Sequence, residues 1–154
     1  MEYLFSDKTI SFNQDVLETF RSFRQVGTHQ HEAGGILLGR IYQDGKVIVE
    51  QISTPGRYDK SGKYFFERNV KYAQQIVNKA WKDSNGEIQY LGEWHTHPEM
   101  NPTPSSVDHK LLKGMINDSK LEIDFLFLVI VGIDGFYVAS QTKDEELREL
   151  HLVR

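Results

Sequence analysis

Two histidines one residue apart, His95 and His97, stand in the run GEWHTHPEMNPTPSSVD, which spans Gly92 to Asp108. Ser105 follows His97 by eight residues, and Asp108 follows Ser105 by three. A catalytic zinc commonly takes three protein ligands and one water, with imidazole nitrogen and carboxylate oxygen among its preferred donors. His95, His97 and Asp108 offer such a set. Residues i and i+2 of an extended chain point to one face, so both histidines can reach a single ion. Pro98, Pro102 and Pro104 then turn the chain. Ser105 suits a helix N-cap, which puts Asp108 in the first helical turn. A hydrolase of this kind also needs a base for its water. The candidate is Glu32, far upstream in HEAGGILLGR.

Taken together, Glu32-x-Gly34-Gly35 before an apolar strand, then His95-x-His97-Pro98 with Ser105 and Asp108, resemble the JAMM/MPN+ metalloisopeptidases. The resemblance covers roughly Thr28 to Gly135, and five functional positions agree in type, order and spacing. The YLGEWHTHP run and the small size resemble, more narrowly, the bacterial JAMM proteins of CBASS anti-phage operons. The resemblance implies one Zn2+ per chain on His95, His97 and Asp108. It makes Glu32 the base and gives the Ser105 hydroxyl the tetrahedral oxyanion to stabilise. It implies an α/β (α+β) JAMM/MPN domain, cytidine-deaminase-like, with a curved, mostly antiparallel sheet flanked by helices. The implied substrate is a protein with an extended C-terminal tail, ubiquitin-like or a conjugated nucleotidyltransferase, cut after its last residue. Relatives that process sulfur-carrier or ubiquitin-like proteins are the alternative. A non-catalytic MPN scaffold and a zinc hydrolase of small amides are rivals of another class. Scaffold members usually lack the ligands, and here each ligand type is present.

The elements that must position these residues fit one domain, residues 1–154. A chain of this length buries roughly 68–70% of its unfolded surface. A net charge of −4 gives no sign of a nucleic-acid or anionic-membrane partner. The chain has no cysteine, which excludes disulfides, thiol catalysis and Cys-ligated zinc, including the zinc deaminases. Neither a signal peptide nor an apolar run of membrane-spanning length is visible, so the cytoplasm is the expected compartment.

Tyr3 to Phe12 reads as one or two short strands. Asn13 caps a helix that carries Val16, Leu17, Phe20 and Phe23 inward, to about Arg24. Thr28 to Ala33 is a polar loop that delivers Glu32 to a strand over 34–42. Asp44-Gly45 turns that strand into a partner over 46–52. Residues 53–62 read as loop, and 64–66 as a short strand. A helix over 67–82 places Val70, Ala73, Ile76, Val77, Ala80 and Trp81 on one face. A strand over 88–94 leads into the histidines. A helix over 105–117 turns Val107, Leu111, Leu112, Met115 and Ile116 inward. Phe125 to Val131 suits a strand buried on both faces, and 136–139 returns beside it. Residues 143–150 read as a short charged helix or a frayed tail.

Other polar residues have plainer readings. His29 and His31 form a second H-x-H pair, in a polar loop without a matching carboxylate, and read as solvated. Glu93 is either a partner of the ligands or an ordinary strand residue. Thr96 stands where the family often has serine. His109 reads as helix surface and Trp94 as core. Tyr58, Tyr64, Phe65 and Phe66 pack at an edge or wall a substrate groove.

Overall fold

A computed structural model describes residues 1–118, 121 and 123–154. The chain forms β1 (Glu2–Phe5), β2 (Lys8–Phe12), α1 (Gln14–Ser22), β3 (Gly34–Ile41) and β4 (Val47–Ile52). Next come β5 (Lys60–Gly62), β6 (Phe65–Glu67), α2 (Val70–Asp83), β7 (Gln89–Thr96) and α3 (Ser106–Asp118). The last elements are β8 (Phe125–Val131), β9 (Phe136–Thr142), β10 (Arg148–Glu149) and β11 (His151–Leu152). Among the described residues no helix is long and apolar enough to cross a membrane.

Among the described residues nine strands make one sheet in the order β10-β9-β8-β7-β3-β4-β2-β1-β11. Its pairs are antiparallel except β2/β4 and β7/β8. The sheet is curved on itself. Only Leu150 separates β10 from β11, yet β10 pairs with β9 at one end of the order and β11 with β1 at the other. α1 lies on the inner face, where Val16, Leu17 and Phe20 pack with Trp94, Phe127 and Val129. On the outer face α3 covers β8 and β9 through Leu112 and Ile116, and α2 covers β3 through Ala73 and Ala80. β8 serves both faces, with Phe127, Val129 and Val131 turned inward and Leu126, Leu128 and Ile130 outward. That alternation explains its unbroken apolar run.

Several expectations need correction. Residues 143–150 are neither a helix nor a frayed tail. A turn at Lys143–Asp144 leads toward β10, and buried Leu150 donates its N–H to Val138 O at 2.8 Å. Short polar segments can take their conformation from backbone bonds to a sheet edge, which their own composition does not announce. Residues 53–62 are not all loop, because Lys60–Gly62 pairs with Phe65–Glu67 as a hairpin. Asp59 fastens the hairpin's base, accepting from the N–H groups of Gly56 and Asn69, each at 2.7 Å. Val70, Trp81 and Val107 face outward rather than into the core.

Candidate metal centre

β7 leaves the sheet at Thr96, and its side chains alternate as the pleat requires. Trp94 and Thr96 turn to the inner face, with 1% and 0% exposure. His95 and His97 turn to the other, and their ring centroids stand 5.0 Å apart. α3 supplies the third group. Ser105 Oγ accepts from Asp108 N at 3.2 Å, while Asp108 Oδ2 accepts from Ser105 N at 2.8 Å. This reciprocal cap fixes the first turn of the helix and aims the Asp108 carboxylate back at β7. Asp108 Oδ1 is 3.0 Å from His95 Nε2, and Oδ2 is 3.3 Å from His97 Nε2.

Those separations fit a metal ion. Two donors each ~2.0–2.2 Å from a tetrahedral zinc stand roughly 3.3 Å apart. Glu32 stands further back. Its carboxylate and the two imidazoles each offer an atom within 4.8 Å of the others. It makes no hydrogen bond or ion pair to them among the described residues, which leaves a gap about one water wide. Asp108 therefore suits the ligand position and Glu32 the position beside a water.

Electrostatics separate the two carboxylates. Burial raises Glu32 to about 7, and nearby Asp108 adds to the rise while His97 opposes it. Burial also acts to raise Asp108, but hydrogen bonds from His95, His97 and Ser105 N outweigh it and hold the group well below the usual carboxylate range. Burial disfavours charge on His97, yet Asp108 and Glu99 outweigh it and lift the imidazole to about 8. Their surroundings thus push the two carboxyls apart, Glu32 toward its neutral form and Asp108 toward its anion.

Local packing explains how Glu32 reaches this place. Its N–H donates to Gly62 O in the hairpin at 2.7 Å, and the next residue, Ala33, pairs with Thr96 through Thr96 N→Ala33 O at 2.9 Å. The two glycines that follow are needed for close approach. A Cβ on Gly34 would lie 2.5 Å from the Phe66 ring and 2.7 Å from Trp94 O, and one on Gly35 would lie 2.2 Å from Ser53 O. Glu32, His95, His97, Ser105 and Asp108 all line one cleft of about 800 Å³. Hairpin residues Tyr64 and Phe65, 73% and 53% exposed, and Val107 of α3, 71% exposed, also line it.

The remaining sequence readings sort themselves by geometry. His29 and His31 are exposed, and His31 Nδ1 lies 3.2 Å from Ser61 Oγ on the hairpin. Trp94 is core and donates Nε1–H to Ser53 O at 2.9 Å. Among the described residues Glu93 makes no hydrogen bond or ion pair to either histidine. It pairs with Arg68 Nε at 2.7 Å and accepts from the Tyr90 hydroxyl. That buried group ties the chain just after the hairpin to β7. Glu99, which the sequence reading passed over, lies 2.9 Å from His97 Nδ1. Its place two residues after a histidine was the available signal. A carboxylate on Nδ1 holds the ring in the tautomer that leaves Nε2 free as a ligand.

Residues 14–150 match the family model described as prokaryotic homologs of the JAB domain. A CD-NTase/cGAS isopeptidase of Pseudomonas aeruginosa is 41% identical over 132 residues, 84% of this chain and 80% of that protein. One from Vibrio cholerae is 31% identical over 140 residues, covering 90% and 86%. The solution structure of a Desulfitobacterium hafniense protein aligns with a TM-score of 0.57 at 23% identity, covering 91% of this chain and 88% of that one. With the family model spanning most of its length, this chain belongs to the prokaryotic JAB-domain family.

Proposed function

We propose that this chain is a zinc-dependent isopeptidase that cuts just after the C-terminal residue of a conjugated CD-NTase, acting in the cytoplasm. The convergence of Glu32, His95, His97, Ser105 and Asp108 in one cleft carries the chemistry. The similar proteins named CD-NTase/cGAS isopeptidase carry the substrate.

His95 Nε2, His97 Nε2 and the Asp108 carboxylate would hold the ion. When bound there, zinc supplies a Lewis acid and lowers the pKa of water. Glu32 takes a proton from the attacking water and hands it to the leaving amine nitrogen. Ser105 Oγ accepts from Asp108 N, so its own proton is free to donate to the carbonyl oxygen as negative charge develops. Ser105→Ala is expected to lower kcat by ~10²-fold, as loss of one such donor does elsewhere. Loss of the cap should also cost ~1 kcal/mol of stability. Turnover and thermal denaturation check the two parts separately.

The substrate tail would lie along the β5–β6 hairpin as an added strand. Main-chain bonds would give affinity, and Tyr64 and Phe65 would give selectivity. The hairpin is already folded, so a tail meets a prepared wall rather than a segment that orders on binding. Deleting Tyr58–Gly62 would be a poor test, because Gly62 O holds Glu32 N. Tyr64→Ser with Phe65→Ser removes the wall and spares that bond. With a CD-NTase joined through its C-terminus to a reporter protein, this variant is expected to raise KM ~10-fold or more with zinc retained. A fusion whose tail is shortened by several residues should be cut poorly by the parent. Mass spectrometry should place the cut after the last CD-NTase residue. Cleavage of ubiquitin-like or sulfur-carrier fusions with none of the CD-NTase fusion would favour the alternative substrate.

A further inference from the structure

We infer that Gln25 is a positioning residue that locks Glu32 to the histidine strand and to the hairpin through Thr96. This inference rests on the isopeptidase reading above. Gln25 is a polar side chain with 2% exposure, and it lies just beyond α1. Its amide orientation is set by its partners. Carbonyl oxygens can only accept, so the NH2 group must face Gln30 O at 3.2 Å and Lys63 O at 2.9 Å. Oε1 then faces Thr96 Oγ1 at 2.7 Å, and the hydroxyl must donate to it. The same hydroxyl accepts from Ala33 N at 3.0 Å.

Every proton in this chain has one place to go. The bonds run from Ala33 N–H to Thr96 Oγ1, from Thr96 O–H to Gln25 Oε1, and from Gln25 N–H to Lys63 O. Four segments meet there: the loop after α1, the residue following Glu32, the residue between His95 and His97, and the hairpin turn. Glu32 makes no direct bond to the histidines, so its distance from them depends on such backbone ties. Two main-chain ties act beside this relay: Thr96 N to Ala33 O, which Thr96→Val leaves in place, and Glu32 N to Gly62 O, which begins on the hairpin that Gln25 also holds. A partly satisfied buried network is unstable, so removing one member should loosen the whole. An error of about 1 Å in a catalytic group can cost ~10²-fold in rate.

The test uses the full, zinc-loaded chain and the CD-NTase fusion. Thr96→Val keeps the shape and removes the relay. It is expected to retain one zinc, lower kcat by ~10–100-fold and leave KM within about threefold. Thr96→Ser restores the hydroxyl and should return kcat to within about threefold of the parent. Gln25→Met should lower kcat by the same factor and also raise KM, since it frees Lys63. The double variant should have a kcat no lower than the worse single one, as expected of one chain of bonds. Parent-like kcat in Thr96→Val, failure of Thr96→Ser to recover, or multiplying losses in the double variant would each overturn the inference. If Gln25→Met fails to fold, the Thr96 pair decides alone. If the parent does not cut the fusion, the functional reading fails, and hydrogen exchange then decides the positioning role. Faster exchange of the Glu32 amide by ~10-fold in Gln25→Met, with β8 amides unchanged, supports it; unchanged exchange overturns it.

Discussion

His95→Ala, His97→Ala and Asp108→Ala are each expected to lose metal and turnover together, while the zinc-loaded parent holds one zinc per chain. Each substitution removes one donor from a set whose members stand 3.0 and 3.3 Å apart across Asp108. Two remaining protein donors bind an ion far more weakly than three, because site affinity grows steeply with the number of preorganised ligands. Asp108→Ala should also destabilise α3, since its carboxylate caps Ser105 N. Metal analysis after loading and dialysis, run beside the cleavage assay, checks the expectation. Parent-like zinc in all three variants would move the site elsewhere. Less than about half an equivalent in the loaded parent would contradict a single site.

Glu32→Gln should separate chemistry from metal. Glutamine keeps the volume, and the bond from residue 32 N to Gly62 O is made by backbone, so the local frame survives. What disappears is a carboxylate that can take up and return a proton. Turnover should fall by ~10²-fold or more at full zinc occupancy. Equal rates for Glu32→Gln and the parent, both fully loaded, would require another base.

The clustering of the candidate metal-site residues was legible because its logic is local. Two histidines at strand period, a proline-rich turn and a serine three residues before an aspartate describe geometry in about 14 residues. Glu32 was legible only through family pattern, since nothing in its surroundings marks it as buried. Its two glycines make sense once Phe66 and Ser53 are seen against them. Gln25 was not legible. A glutamine two residues before a glycine reads as surface, and only long-range topology brings Lys63 and Thr96 to it. The part-buried Arg68–Glu93 pair was hidden likewise, its members 25 positions apart in the chain. Some helix positions keep the apolar period yet face outward: Val107 beside the cleft, and Val70 and Trp81 on α2 away from it.

The meeting of β10 and β11 around Leu150 has a kinetic consequence. Tyr3 pairs with Leu152 and Ala139 with Glu149, so one short stretch near the end of the chain closes both rims of the sheet. A contact between residues 3 and 152 closes a loop over all the residues between them and is rewarded only after they have condensed. Before that moment β1 and β9 each present a bare rim, the surface on which strands of separate molecules join. Residues 148–152 are therefore expected to pair late and to cover both rims when they do. Damage there would be felt first in how much native protein accumulates, while molecules that did close would keep the metal-centre geometry.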